Sequence, residues 1–124
     1  METKIISIYT KKEDIKKITT NFKEKSFDSL KKHPHLEFSI MEKATDIELI
    51  KQTYSKFDTI KHIELRENAK GQKYYSINYE LEDKTYIVIG ISNDFNLVIN
   101  AFHGKTNYKR FIKRLRKNYK NRFI

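Results

Sequence analysis

Cysteine is absent from this 124-residue chain, and proline and glycine are scarce, with one and three residues respectively. Without cysteine the chain has no disulfide, no thiolate nucleophile and no zinc–thiolate site, which fits a reducing compartment. The scarcity of proline and glycine indicates mostly regular secondary structure rather than loop. Tryptophan is also absent, so the aromatic fraction of 13% comes from tyrosine and phenylalanine alone.

Long hydrophobic runs are missing as well. The opening METKIISIYTKKED contains an apolar run of only about five residues, which is too short for a signal-peptide core or a membrane span. We therefore expect a cytoplasmic protein with no membrane partner. The length, without a linker-like segment, predicts a single domain over residues 1–124.

Motifs for nucleotide and metal chemistry are not found. The chain has no P-loop, GxGxxG, GxSxG or HExxH pattern, which leaves nucleotide hydrolysis, dinucleotide binding, esterase and zinc-protease activities without their signatures. The segment ELEDK places Glu80, Glu82 and Asp83 together, superficially like an acidic nuclease motif. A hairpin turn is the favoured interpretation, because exposed Asp and Lys are common in turns. We predict neither a metal site nor a cofactor.

Acidic residues are absent from the last twenty positions, where nine of the 26 Lys and Arg residues lie. The other 104 residues carry 17 basic and 16 acidic side chains, so nearly all of the net charge of +10 is at the carboxyl end. A near-neutral body with a concentrated basic end favours a polyanion-binding protein. The alternative is a solvated terminal helix with no partner.

The amino-terminal half carries mixed signals. KIISIY (4–9) is a candidate first strand or an apolar anchor. Apolar residues at near-helical spacing follow over 15–30 and predict one helix, or two divided at residues 19–21. KKHPHLEF interrupts this pattern because Pro34 lacks a backbone donor. ATDIELIKQTYSKF predicts a further helix, capped by Thr45 or Asp46.

From residue 59 the period changes to that of strands. TIKHIELR, KYYSINYELE, TYIVIGIS and LVINAFH alternate and are separated by turn segments, which predicts an antiparallel meander. After Gly104 an apolar stripe at helical spacing predicts an amphipathic helix with a basic outer face; the stripe comprises Tyr108, Phe111, Ile112, Leu115 and Tyr119. The expected fold class is α+β, with N-terminal helices followed by a roughly four-stranded antiparallel meander sheet and a basic C-terminal amphipathic helix.

Metal-independent RNA cleavage makes demands that these residue types can meet. It needs groups that take and give protons, and cations that stabilise the phosphate. Of the four histidines, His103 lies where strand, glycine and basic helix meet, and neighbouring cations there would lower its pKa. His33 and His35 flank Pro34, and His62 lies in a strand, where a cross-strand or surface role is the simpler interpretation. Tyrosines of the meander could stack bases, although tyrosine is equally ordinary in strands.

The order of elements, with KKHPHLEF, YYSINYELEDKTYIVIGI and LVINAFHGK, resembles the barnase, EndoU, colicin-nuclease and RelE group of metal-independent ribonucleases. The likeness is greatest to its small phage and toxin branch and covers roughly residues 26–116. It implies an RNA-binding or RNA-cleaving cleft on one face of the sheet. A histidine or basic residue from the helical part would face a polar residue on the last strand.

Carried onto this chain, the resemblance makes His33 or His35 the helical-side acid or base and Asn100 the polar residue of the last strand. Members of that branch often have Thr or Ser at the position of Asn100, and an amide cannot act as a general acid or base. His103 is then the candidate for the missing proton carrier. The predicted contacts to nucleic acid are Arg66, Lys105, Lys109, Arg110, Lys113, Arg114 and Lys117.

Three functions are consistent with these observations. The first is a toxin-like endoribonuclease that acts by 2′-hydroxyl attack without a metal. The second is a non-catalytic nucleic-acid-binding or regulatory module that uses the basic helix, with RNA or another nucleic acid as partner. The third is a protein-interaction module whose basic helix binds an acidic partner, such as a neutralising antitoxin.

Overall fold

A single six-stranded sheet organises the chain. The computed structural model describes residues 3–124. Strand order is β1-β3-β4-β5-β6-β2, and every neighbouring pair is antiparallel except β2 and β6. The strands are β1 Thr3–Tyr9, β2 Lys31–Lys32, β3 Ile60–Asn68, β4 Lys73–Glu80, β5 Tyr86–Ser92 and β6 Leu97–Gly104. The helices are α1 Lys12–Thr19, α2 Pro34–Glu42, α3 Ile47–Tyr54 and α4 Tyr108–Asn118.

The α+β class and the meander β3 to β6 are confirmed, whereas the expected four strands and the expected helical start are wrong. The KIISIY segment is a strand: β1 pairs with β3 and buries Ile5 and Ile8. Lys31–Lys32 adds a short sixth strand beside β6. The sheet is wider because both segments lie outside the alternating region and join it through pairings distant in sequence.

The first three helices cover one face of the sheet. Asp46 caps α3, because its side chain accepts a hydrogen bond from the Glu48 amide, and the helix buries Ile50 and Tyr54. Together with the inward residues of β3 to β6 these helices form the main apolar core. The predicted α3 and its Asp46 cap are therefore confirmed.

Residues 20–30 form turns rather than a second helix. The Asn21 amide donates to the carbonyls of Lys17 and Ile18 and so ends α1. The Tyr54 hydroxyl lies 3.1 Å from the carbonyl oxygen of Phe22 and 2.9 Å from that of Lys25. Phe22, Phe27 and Leu30 are buried, so their spacing reflects a folded turn segment anchored by side chains. Pro34 then starts α2 instead of ending a helix, since its missing donor is tolerated in the first turn.

α4 packs on the opposite face. Tyr108 and Leu115 are buried, and Leu115 packs with Ile5 and Ile8. The ring of Tyr86 lies parallel to that of Phe111 at 4.5 Å between centroids, and a Cβ at Gly104 would overlap this tyrosine ring. The predicted stripe is confirmed up to Leu115. Tyr119 is 41% exposed because the helix ends at Asn118.

Tyr54→Phe tests whether the turn segment depends on this hydroxyl. Burial raises the pKa of Tyr54 to about 12, so the group stays a neutral donor at all ordinary pH values. Its loss removes the hydroxyl from the Lys25 carbonyl, while the Phe22 carbonyl keeps the Lys25 amide as a donor. We expect the free energy of unfolding to fall by about 1–2 kcal/mol. Urea denaturation provides the measurement. Tyr119→Phe is the control, and equal losses in both variants would contradict the assignment.

Candidate functional site

α4 covers only part of its face of the sheet. The amide of Tyr108 donates to the carbonyl of Lys84 at the β4–β5 turn, and the helix reaches β1 at Leu115. Beside it the sheet face holds a cavity of about 240 Å³, here called the sheet-face cavity. Its lining residues are Glu64, Arg66, Tyr74, Ser76, Asn78, Tyr86, Val88, Asn100, Phe102 and Phe111.

The cavity exists because small residues align across the strands. Strand register places Glu64 opposite Ser76, Ser76 opposite Gly90 and Gly90 opposite Asn100. Ser76 has only a small hydroxymethyl group and Gly90 has no side chain, so space is left between Glu64 and Asn100. A Cβ on Gly90 would overlap the Asn100 amide, so glycine is required for that side chain to lie over β5.

A bulge in β6 directs Asn100 into the cavity. The register of β5 with β6 shifts between Gly90 and Ile91, so that Val98 and Ala101 both lie in the main core although they are three residues apart. Side chains otherwise alternate along a strand. The extra residue places Asn100 and Phe102 on the cavity face, and Ala101 and His103 on the face covered by α2.

A buried hydrogen-bonded chain forms one wall of the cavity. His62 Nε2 lies 2.7 Å from Glu64 Oε2, and His62 Nδ1 lies 2.6 Å from the Tyr108 hydroxyl. Arg66 Nε donates to Glu64 Oε1 at 2.7 Å, and its Nη1 donates to the Thr3 hydroxyl at 2.9 Å. Burial raises the pKa of Glu64, but the hydrogen bond from His62 and the charge of Arg66 outweigh it, so the net pKa is lowered. Burial also raises the pKa of Tyr108, which therefore stays protonated.

Two polar groups among the cavity residues have no hydrogen-bond partner within residues 3–124. The Asn78 amide nitrogen donates to the Ser76 carbonyl and to Glu64, but its buried Oδ1 has no partner. The Asn100 amide is also unbonded to any described residue, and it is only half-buried. Buried polar atoms are nearly always paired, so an exception calls for an explanation.

His103 lies on the other face of the sheet, in a separate network. Lys105 Nζ donates to His103 Nδ1 at 3.0 Å, and Nε2 lies 2.7 Å from the Thr85 hydroxyl. Thr85 in turn donates to Asp83 at 2.5 Å. Desolvation by burial, followed by the charge of Lys105, lowers the pKa of His103, and the charge of Asp83 partly offsets both.

The histidines of α2 lie far from His103. His33 caps the helix: its Nδ1 accepts from the His35 amide, and its own amide donates to the Val98 carbonyl. His103 is five residues further along β6, or about 16 Å at 3.3 Å per residue. The structure therefore brings neither His33 nor His35 next to His103, and among these candidates only Asn100 and Arg66 line the sheet-face cavity.

The predicted basic contacts divide between two flanks of α4. None of the Lys and Arg side chains of this helix forms an ion pair with another residue of 3–124, and all are exposed. At about 100° per residue, Arg110 and Arg114 lie within about 100° of the cavity-lining Phe111, whereas Lys109 and Lys113 lie about 160° away. Lys117 points outward, and Lys105 belongs to the His103 network.

Sequence reasoning missed His62, Glu64, Ser76 and Asn78 as site residues. A signal was present, because HIELR and SIN alternate polar side chains with the apolar residues Ile63, Leu65 and Ile77. What the sequence did not reveal is that both polar series point to the face with the open cavity. That depends on the pairing of β3 with β4 and on where α4 docks.

Comparisons of the chain with protein-family models, with characterised proteins and with solved structures find no match. Among residues 3–124, no helix is long and apolar enough to cross a membrane. The same residues contain no group of three or more His, Asp or Glu side chains placed to hold a metal ion.

Glu64→Gln tests the buried chain. The variant leaves Arg66 without its counter-charge, and we expect a loss of roughly 3 kcal/mol in the free energy of unfolding at pH 7. Because the folded-state pKa of Glu64 is below its usual 4.5, its stabilising effect is complete above that pH. The effect is lost as the pH falls through the folded value, so the variant loses less stability on acidification.

Urea denaturation at several pH values between 7 and 3 provides this measurement. Glu67→Gln is the matched control on the same strand, where the carboxylate pairs with the exposed Lys4 and little stability is at stake. Equal losses in the two variants at pH 7, or parallel pH profiles for Glu64→Gln and wild type, would contradict the role given to Glu64.

The His103 network predicts an NMR titration. Because burial and Lys105 disfavour the charged imidazole, we expect a midpoint below the usual 6.5. Lys105→Gln removes a neighbouring cation and should raise the midpoint. The histidine resonances followed by NMR between pH 8 and 4 provide the test. A midpoint at or above 6.5, or no response to Lys105→Gln, would disprove the described contact.

Proposed function

We propose that this protein is a nucleic-acid-binding module, with RNA as the partner that its chemistry suits best. The observation that carries the proposal is the exposed face of α4, whose cations have no counter-ion among residues 3–124. Such a face gains affinity for polyphosphate strands through release of their counterions.

The position of the helix favours nucleic acid over a generic polyanion. Arg110 and Arg114 lie on the flank of α4 that borders the sheet-face cavity, where the half-buried Asn100 presents its amide group. Phosphates can therefore contact the helix while base edges meet polar and aromatic side chains on the sheet. An acidic protein or a membrane surface would contact the cations of α4 but would not need the polar and aromatic side chains on the sheet.

Binding is better supported than cleavage. Metal-independent cleavage needs two proton carriers within hydrogen-bond reach of one phosphodiester. His33 and His35 lie at one end of β6 and His103 at the other, on the face that α2 covers. Within the sheet-face cavity, the Asn100 amide cannot act as a general acid or base, and Glu64 is held by His62 and Arg66. The alternative function is the metal-independent endoribonuclease, which would release products with cyclic phosphate ends.

Fluorescence anisotropy with a labelled single-stranded RNA tests the proposal. We expect the logarithm of the association constant to fall linearly with the logarithm of the salt concentration. The double variant Arg110→Gln/Arg114→Gln should make this negative slope less steep by about 1.4. It should also weaken binding at low salt on the order of tenfold. Lys109→Gln/Lys113→Gln removes the same charge from the far flank and should weaken binding less than about threefold.

The outcomes distinguish the candidate functions. No binding, or binding that does not respond to salt, would disprove the proposal. Equal effects of the two double variants would show that the cavity-side flank has no special role. RNA shortened to products with cyclic phosphate ends in the presence of EDTA would establish the endoribonuclease instead.

A further inference from the structure

We infer that the sheet-face cavity receives one unstacked base of the bound strand, so that the protein selects single-stranded over double-stranded nucleic acid. This inference rests on the proposed function and adds to it what the cavity contributes. Polyanion binding by α4 alone would require no base at all.

The size of the cavity suits one base. Its volume is about 240 Å³. Because each water molecule in the liquid occupies about 30 Å³, roughly eight water molecules would fill it. A heterocyclic base fits this space, whereas a nucleotide with its sugar and phosphate does not. Pockets for drug-sized ligands are generally larger.

The charge of the cavity suits a neutral ligand. Arg66 and Glu64 are paired within the wall, so their formal charges cancel next to the cavity. A phosphate would gain no net attraction there, and it would meet the Glu64 carboxylate. The unpaired cations lie outside, on α4, where the phosphates of the same strand would be held.

The polar groups of the cavity suit the edge of a base. The half-buried Asn100 amide lines the cavity and is bonded to no described residue. It can donate and accept, as can the neighbouring Ser76 hydroxyl. Asn78 Oδ1 is also unpaired, but Asn78 is 0% exposed, so its oxygen is closed off from the open space. A base presents both donors and acceptors along one edge, which suits the Asn100 amide and the Ser76 hydroxyl.

Aromatic side chains complete the site. Phe102 lines the cavity from β6 and is half-buried, and Phe111 lines it from α4. Their faces and edges provide apolar contact for a planar ring, a sequence-tolerant source of affinity for unpaired bases. In a duplex the bases are stacked and paired, so they cannot enter.

Binding of three labelled probes of equal length tests the inference: a single-stranded RNA, the same strand with abasic sugars throughout, and a duplex. We expect wild type to bind the base-bearing strand about tenfold more tightly than the abasic strand. Asn100→Leu should reduce this ratio towards one while leaving the affinity for the abasic strand unchanged. Ser76→Ala, which removes the hydroxyl and adds no bulk to the cavity, should reduce the ratio as well.

Asn121→Leu provides the matched control, because Asn121 is exposed and outside the cavity; it should keep the wild-type ratio. If wild type binds all three probes equally, the base site is disproved although polyanion binding stands. If it binds none of them, the proposed function itself fails. The ratio of the wild-type affinities for the base-bearing and abasic strands tests the base site even if a cavity variant does not fold.

Discussion

A single buried carboxylate constrains the arrangement of three elements. Glu64 is 1% exposed, and an uncompensated charge at such a position is strongly destabilising. His62 and Arg66 supply the compensation from the same strand. His62 also needs the Tyr108 hydroxyl, and Arg66 also donates to Thr3. The carboxylate thereby connects β3 to α4 on one side and to β1 on the other.

This connection determines what remains open on the sheet. With Tyr108 held over His62, α4 crosses the sheet near the β4–β5 turn and reaches β1 at Leu115. Beyond the helix, the positions of Ser76 and Gly90 lack bulky side chains that could fill the face. The cavity and the cationic flank of α4 are therefore adjacent because one buried hydrogen-bonded chain positions the helix.

Patterns that are local in the sequence predicted the meander and the helices α3 and α4. Features that depend on pairing between distant segments were missed. The alternation of β3 to β6 and the stripe from Tyr108 to Leu115 are visible within short windows. The cavity depends on Glu64, Ser76, Gly90 and Asn100 meeting in one row, which requires the register of three strand pairs.

The bulge in β6 shows the same limit at a single residue. Alternation counted from the buried Val98 would place Asn100 in the main core and His103 on the cavity face. The extra residue reverses both. His103 was the foremost catalytic candidate from the sequence, yet its side chain lies with Ile87 on the face covered by helices. Asn100 and His103, three residues apart in LVINAFH, thus belong to separate sites: the sheet-face cavity and the network of Thr85 and Lys105.

The charges in the first turns of α4 oppose the stability of the helix, although Arg116 and Lys117 in the last turn suit its dipole. Lys109 and Arg110 occupy its first turn, where the helix dipole favours anions, and no acidic residue is present there. Cations four residues apart, such as Arg110 and Arg114, also repel each other, at a cost of a few tenths of a kcal/mol per pair. The buried stripe offsets these costs in the free protein. A phosphate strand along the cavity-side flank would remove both, so the feature that destabilises the isolated helix is the feature that provides affinity.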